Sequence, residues 1–199
     1  MRSILIILLL FATRSIFANN PTPGIPWPVG SEANTSLKKT LMNTYGGRAD
    51  SWYASFHPGI DIDANTEASY GHQVICVEDG IVAAREPNAG GTGYYVVVVP
   101  YTGASNGWCY GHLDNSSINF GVGQPIQEGD LIGDMIEIGA MTQHLHFSWV
   151  DKNDVNVCLE NPLSYLEEEP EGSSYWQFNA EEYSPEYKFL ILPEKLSSE

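Results

Sequence analysis

The sequence predicts a mainly β protein, built on an antiparallel sheet. Short runs rich in β-branched and aromatic residues recur between clusters of Gly, Asn and Asp, a pattern typical of all-β domains. No long amphipathic helix is evident, and the best helical candidate, residues 32–45, is short. The predicted strand runs are, in order, HQVICVE, GIVAARE, GYYVVVVPY, GWCYGHL, DLIGDMIEI and LHFSWV.

The N-terminal 39 residues divide into two segments. Residues 1–18 combine Arg2, a short apolar run and small residues near Ala18, which is the layout of a secretory signal peptide. The apolar run is too short to span a bilayer, and no later segment is long and apolar enough to do so. We therefore expect cleavage near Ala18 and a secreted or periplasmic protein. Residues 19–39 are rich in Pro and Gly and predict an extended arm rather than a packed element.

The rest of the chain divides at residue 166. Residues 40–166 contain the six predicted strand runs and are assigned to one β domain, a size typical of single domains. Residues 167–199 form an acidic, aromatic tail with nine Glu, two Lys and six aromatic residues. Its acidity alone favours a solvated segment. The aromatic residues instead favour a tail that packs partly on the β domain, and we predict such packing.

The charge of the chain excludes some partners. The sequence has 9 basic and 25 acidic residues, for a net charge of −16 at pH 7. Removal of residues 1–18 deletes Arg2 and Arg14 and no acidic residue, and brings the balance to −18. A protein this acidic does not favour nucleic acid or anionic membrane surfaces as partners.

Three cysteines leave the redox chemistry open: Cys76, Cys109 and Cys158. In an oxidising compartment they allow one disulfide and one free thiol, and the spacing does not determine the pair. Cys76 and Cys109 lie in strand-like runs, so burial of reduced thiols in the core is the alternative. No Cys-x-x-Cys spacing is present, which argues against a cysteine zinc site.

The stretch MTQHLHFSWV places two of the five histidines one residue apart. Its alternation of polar and apolar residues predicts a half-buried strand. His144 and His146 would share one face of that strand, with Cα atoms about 6–7 Å apart, so both imidazoles could reach one site. The alternative is a pair of exposed histidines without a role. The residues predicted to pack on the opposite face are Leu145, Phe147 and Trp149.

Two further motifs supply the remaining candidates. In SFHPGIDID, Pro58 and Gly59 make a helix improbable. A fully extended strand would separate His57 from Asp61 by about 13 Å, too far for one metal ion. A bend at Pro58 and Gly59 would bring them together, with Ile60 and Ile62 facing the core. His112 follows an aromatic strand end in WCYGHLDNS. Taken singly, a surface turn or a hydrogen-bonded strand end explains each motif.

Taken together, the three motifs indicate metal chemistry. They contain four of the five histidines and one carboxylate. Two histidines and one carboxylate are a common ligand set for catalytic zinc, with one position left for water. Two histidines then remain for acid–base work, so the set suits metal-assisted hydrolysis.

HPGIDID, YGHLD and HLHF resemble the three motifs of the lysostaphin-type, or LytM-like, zinc metalloendopeptidases, in that family's order. TYGGRADSW resembles the family's Gly-x-Arg segment, and NPLSYL resembles its terminal Pro-Leu-x-x-Leu. GHQVICVEDGIVAA and GVGQPIQEGDLIG resemble two of its hairpins. The resemblance covers about residues 43–166, and each motif alone is only moderately specific.

The resemblance implies a function and a role for each candidate residue. One zinc ion would be held by His57, Asp61 and His146, and His112 and His144 would be the catalytic pair that does not bind the metal. The implied fold is the family's antiparallel sheet with a groove over it. The implied activity is a secreted or periplasmic zinc endopeptidase that hydrolyses peptide bonds in peptidoglycan cross-links or stem peptides.

Two departures and two alternatives accompany the resemblance. Gln143 stands directly before His144, where the family often has a small residue, and His72 is expected to be a surface residue without a role.

The alternatives are a non-catalytic peptidoglycan-binding or amidase-activating module, and a zinc-stabilised extracellular interaction protein, both on the same fold. Relatives of those kinds usually lose a ligand or a catalytic histidine, whereas this chain retains all five residues.

Overall fold

A computed structural model describes residues 21–29, 41–43, 57–63, 72–88, 91–137 and 143–167. These residues form ten strands and a short 3-10 helix, Pro162–Ser164. The strands are β1 (Leu41–Asn43), β2 (Ile60–Asp63), β3 (Gln73–Ile75), β4 (Gly80–Pro87), β5 (Tyr94–Val99), β6 (Asn106–Leu113), β7 (Pro125–Ile126), β8 (Leu131–Asp134), β9 (His144–Asp151) and β10 (Asp154–Glu160).

The predicted signal peptide, residues 1–18, lies outside the described residues, as does the acidic tail beyond residue 167. The proposed packing of the tail and the domain boundaries therefore stay predictions. No helix in the described ranges has the length and apolar character needed to cross a membrane.

The strands pair antiparallel throughout, so the predicted fold class is confirmed. The large sheet has the order β1-β2-β9-β6-β5-β4-β7, and β10 also pairs with β9. β9 is central: β6 lies along one edge, while β2 pairs with its first half and β10 with its second. A separate two-stranded sheet joins β3 and β8.

One face of the large sheet carries the main core. The Trp108 ring stacks on Phe147 with a centroid distance of 4.8 Å, and it meets Trp149 edge-on at 4.9 Å. Ile60 and Ile62 of β2 are fully buried in the same cluster. The prediction that the apolar residues of the His-Leu-His stretch pack on one face is thus confirmed.

The opposite face is covered as well, which the sequence did not predict. Val97, Cys109 and Val150 form a second, smaller core there, and Ser148 is fully buried beside them. The prediction of a half-buried strand at β9 is therefore wrong. Val97 of β5 and Cys109 of β6 lie on the same side as Ser148 of β9, and they cover it.

The two predicted hairpins are not hairpins in the structure. β3 and β4 follow each other closely in sequence but pair with β8 and with β5 and β7, respectively. β7 and β8 likewise belong to different sheets. The segment between β3 and β4 instead bonds to the segment between β7 and β8. Gly129 N–H donates to Cys76 O, and Cys76 N–H donates to Asp130 O. A Cβ on Gly80 would lie 2.5 Å from the carbonyl oxygen of Val99, so the start of β4 packs directly on β5.

Residues 21–29, predicted as part of an unpacked arm, are extended but packed. Ile25 and Trp27 are buried in the main core. Backbone bridges join Ile25 to Leu166 and Val29 to Val74. The prediction of an unpacked arm is wrong for these nine residues, because two large apolar side chains supply the burial that the Pro and Gly content concealed.

All three cysteines are free thiols, buried in the fold. Burial raises the pKa of Cys76 and of Cys158 to about 11, and that of Cys109 to about 12. Of the two possibilities that the sequence left open, the structure has buried reduced thiols.

Candidate metal centre

His57 reaches the sheet through a bend. The chain bends at Pro58 and Gly59, and β2 begins at Ile60, so that Asp61 points away from the main core. A Cβ on Gly59 would lie 2.8 Å from Nε2 of His146 and 2.7 Å from the carbonyl oxygen of Phe147. Only glycine permits that approach without displacement of its neighbours. The predicted bend is present, and it places His57 beside β9.

The strand register brings the second pair of candidate ligands together. Asp61 of β2 lies directly opposite His146 of β9. Its Oδ1 lies 2.9 Å from Nδ1 of His146 and 3.1 Å from Nε2 of His57. One potential ligand atom from each residue falls within 4.8 Å of the others. The three residues therefore form a cluster that could hold a metal ion.

Burial and charge favour a cation in this cluster. His57 and Asp61 are buried, whereas the side chain of His146 is 20 % exposed, which leaves the cluster open on one side. Burial acts to raise the pKa of Asp61, but hydrogen bonds with His146 and His57 outweigh it and hold the pKa well below its ordinary value. The carboxylate is therefore ionised at neutral pH. Two imidazole nitrogens and one carboxylate oxygen suit zinc, and three protein ligands are typical of catalytic zinc sites. The residues present fit that metal.

The other two candidate histidines lie beside this cluster. The rings of His112 and His144 meet edge-on with a centroid distance of 4.7 Å, and those of His112 and His146 are 6.1 Å apart. His144 is 4 % exposed. The structure thus brings all five predicted site residues into one place, at the shared ends of β2, β6 and β9.

His112 has an unusual backbone and a perturbed pKa. Its φ of 62° is the only positive value at a non-glycine residue in the described part of the chain. Burial lowers the pKa of His112 to about 4, aided by the neighbouring His144 and His146 and opposed by a hydrogen bond to the Thr92 carbonyl. The imidazole is therefore neutral near neutral pH, with one nitrogen available to accept a proton.

The structure also places residues that the sequence left without a role. Nδ1 of His112 lies 2.9 Å from the carbonyl oxygen of Thr92 and 3.4 Å from Nδ2 of Asn88. Both residues belong to the Gly-rich stretch NAGGTG, whose composition is typical of a turn between strands and does not point to a histidine 20 residues away.

Two remaining sequence observations are also answered by the structure. Nε2 of Gln143 donates to the carbonyl oxygen of Met135 at 2.6 Å, so this unusual residue anchors the start of β9. His72 is exposed, as predicted, with Nε2 3.7 Å from Asp134.

Comparison with known proteins agrees with this geometry. The model of peptidase family M23 matches residues 55–157, a range that contains all five site residues. No curated protein matches the sequence significantly.

Solved structures share the fold at low identity. The catalytic domain of the antimicrobial peptidase lysostaphin from Staphylococcus simulans is 20 % identical with a TM-score of 0.52, over 65 % of this chain and 93 % of that domain. A solution structure of lysostaphin is 20 % identical with a TM-score of 0.51, over 68 % of this chain and 51 % of that one. The match thus spans about half of that lysostaphin chain. A variant of the catalytic domain of the prophage-encoded M23 protein EnpA from Enterococcus faecalis is 22 % identical with a TM-score of 0.50, over 72 % and 96 % of the two chains.

The fold and the cluster define an antiparallel β-sheet protein with a His-Asp-His cluster that could hold a metal ion. The family match covers more than half of the sequence, and the chain belongs to peptidase family M23. The resemblance to the lysostaphin-type family is thereby confirmed.

Proposed function

We propose that this protein is a zinc-dependent endopeptidase that hydrolyses peptide bonds in peptidoglycan cross-links or stem peptides. One observation carries the proposal: an M23 chain brings two histidines and a carboxylate within 4.8 Å of one another, with two more histidines alongside. Membership in a peptidase family supports hydrolysis of a peptide bond. Peptidoglycan as the substrate is supported by the lysostaphin-like fold.

Each site residue has a role in the proposed reaction. His57, Asp61 and His146 would hold one zinc ion, which when bound supplies a Lewis acid for a peptide carbonyl and for water. The ring of His112 lies 6.1 Å from that of His146 and meets the ring of His144 edge-on. A neutral imidazole there can accept a proton from water and return it to the leaving amine. Its protonated form can donate a hydrogen bond to the oxygen on which negative charge develops.

The proposed location follows from the N-terminal sequence. Residues 1–18 have the layout of a secretory signal peptide, and the proposed substrate lies outside the bacterial cytoplasm. We therefore place the protein in the periplasm or outside the cell, after cleavage near Ala18. Its strongly acidic balance agrees with the absence of nucleic acid and anionic membranes from the proposed partners.

Digestion of purified peptidoglycan tests the proposal. The protein from residue 19 onward, loaded with zinc, is incubated with peptidoglycan, and soluble fragments are identified by mass spectrometry. We expect new amino and carboxyl ends at one type of peptide bond, and that bond defines the specificity. A His144→Ala variant, loaded in the same way, controls for contaminating hydrolases.

Two results would contradict the proposal. Peptidoglycan binding without any new peptide ends would indicate the binding-module alternative. Zinc binding with neither cleavage nor wall binding would indicate an extracellular interaction protein.

A further inference from the structure

The connection between β4 and β5 is described at residues 88 and 91–93, which lie against the end of β6. It is closed by a hydrogen bond from Asn88 N–H to the carbonyl oxygen of Gly93, at 2.8 Å. Gly91 and Gly93 have positive φ values of 77° and 83°. A Cβ on Gly93 would lie 2.6 Å from the carbonyl oxygen of Leu113. Gly93 therefore packs directly on Leu113, the residue that follows His112.

One carbonyl in this loop receives two side chains. The Thr92 oxygen lies 2.9 Å from Nδ1 of His112 and 3.3 Å from Nδ2 of Asn88. A carbonyl oxygen can only accept, so the neutral ring of His112 must carry its proton on Nδ1. Nε2 is then the nitrogen with the lone pair. The hydrogen bond to Thr92 thus selects one of the two tautomers of His112.

The amide of Asn88 holds that carbonyl in place. Nδ2 of Asn88 also lies 3.4 Å from Nδ1 of His112, but Nδ1 has already given its hydrogen to Thr92 and cannot accept another. The amide hydrogen is therefore directed to the Thr92 oxygen. The Asn88 amide also lies over Gly111, 3.7 Å from where a Cβ on that residue would be. Asn88 thus bonds to the Thr92 carbonyl and lies near the strand end that carries His112.

We propose that Asn88 is a positioning residue: it fixes the Thr92 carbonyl, which in turn sets the tautomer and ring orientation of His112. The inference rests on the proposed function, because it concerns how the same site presents a proton acceptor. In the contacts that the structure describes, Asn88 does not touch His144 or His146, the two histidines beside His112. Its effect on hydrolysis is therefore indirect, through His112.

The test compares two asparagines that make the same kind of bond. Asn88→Ala removes the amide that donates to Thr92. Asn119→Ala is the matched control, because Nδ2 of Asn119 donates to the carbonyl oxygen of Leu131 at 3.0 Å, and Asn119 has no contact with a histidine in the described residues. Each full-length, zinc-loaded protein is labelled with ¹⁵N in its histidine rings, and long-range ¹H–¹⁵N spectra report the tautomers. The His112 signals are assigned from their loss in His112→Asn.

We expect His112 to be protonated at Nδ1 in the unmodified protein and in Asn119→Ala, and to show a mixture of tautomers in Asn88→Ala. We further expect kcat of Asn88→Ala to fall about tenfold, with KM and zinc content nearly unchanged, because a misoriented catalytic group slows chemistry more than binding. If Asn88→Ala does not fold, Asn88→Leu, which keeps most of the side-chain volume but has no donor, takes its place in the same measurements.

The spectra separate this inference from the proposed function. An unchanged tautomer in the Asn88 variant, or an equal change in Asn119→Ala, would overturn the positioning role. A change confined to the Asn88 variant supports that role even if the unmodified protein cleaves no peptidoglycan, and in that case it is the proposed function that fails.

Discussion

The two faces of β9 differ in what their burial achieves. On one face, Phe147 and Trp149 pack with Trp108 into a dry aromatic cluster. On the other face, His144 and His146 meet the residues of β2 and β6 at one end of the strand, while the other end enters a small aliphatic core. The same strand therefore serves stability with Phe147, Trp149 and Val150, and the candidate metal centre with His144 and His146. Changes on the two faces should have separable effects.

The largest expected effect is loss of the metal in His146→Ala. Removal of one of three ligands should reduce bound zinc from one equivalent per chain to a small fraction, because no other described residue is close enough to replace it. Metal analysis after dialysis measures the change. Ser148→Ala, two residues along on the same face, is the control and should retain its zinc. A full equivalent in His146→Ala would show that the ligand assignment is wrong.

The next effect is loss of hydrolysis with the metal retained. His144→Ala and His112→Ala should each lower kcat by about 10²–10⁴-fold, the usual contribution of an acid–base group. His112→Asn is a useful second variant, because asparagine tolerates the positive φ at this position better than alanine. Zinc content and peptide hydrolysis are measured on the same preparations. Metal loss in His144→Ala would mean that His144, and not His146, is the metal ligand of the His-Leu-His stretch.

The core face should respond in stability instead. Phe147→Ala removes a fully buried ring and should lower the free energy of unfolding by about 3–5 kcal/mol. Denaturant unfolding measures this, and the folded fraction should still bind zinc. If Phe147→Ala abolished zinc binding in protein that remains folded, the two faces would not be separable in the way proposed here.

The smallest expected effect lies at the point where both faces meet. A methyl group at residue 59 would press on His146 and on the backbone of β9, so Gly59→Ala should cost about 1–3 kcal/mol and weaken zinc binding. Gly121→Ala is the control, since its Cβ would meet only Gln124, at an ordinary 3.6 Å. Thermal unfolding without zinc measures the loss of stability, and the further stabilisation on adding zinc measures the loss of zinc binding. Equal behaviour of the two variants would remove the special role of Gly59.

The site was more predictable from the sequence than its surroundings were. His144 and His146 lie one residue apart in a strand, and His57 and Asp61 flank an obligatory bend, so local geometry alone limits where these side chains can point. The contacts of Asn88 and Thr92 with His112 depend on a loop conformation that no local pattern encodes.

The fold was missed where pairing depends on distant segments. β10 alternates Val155 and Val157 with polar residues, a pattern typical of a strand, and could have been found. The sequence could not have shown that β3 and β4 pair with other strands rather than with each other. Two adjacent strand runs joined by Asp79 and Gly80 have the pattern of a hairpin. What distinguishes them is their pairing with distant segments, since β3 pairs with β8 and the start of β4 pairs with β7.

Burial of the three thiols makes their reactivity a measure of how often the β domain opens. A thiol reacts as its thiolate, so raised pKa values and restricted access both protect Cys76, Cys109 and Cys158 while the protein is folded. Among the described residues, β10 pairs with β9 alone, so local fraying there should expose Cys158 before the central Cys109. Outside the cytoplasm, an opened chain can be oxidised before it closes again. The lifetime of the protein there would then be set by its opening rate rather than by its equilibrium stability.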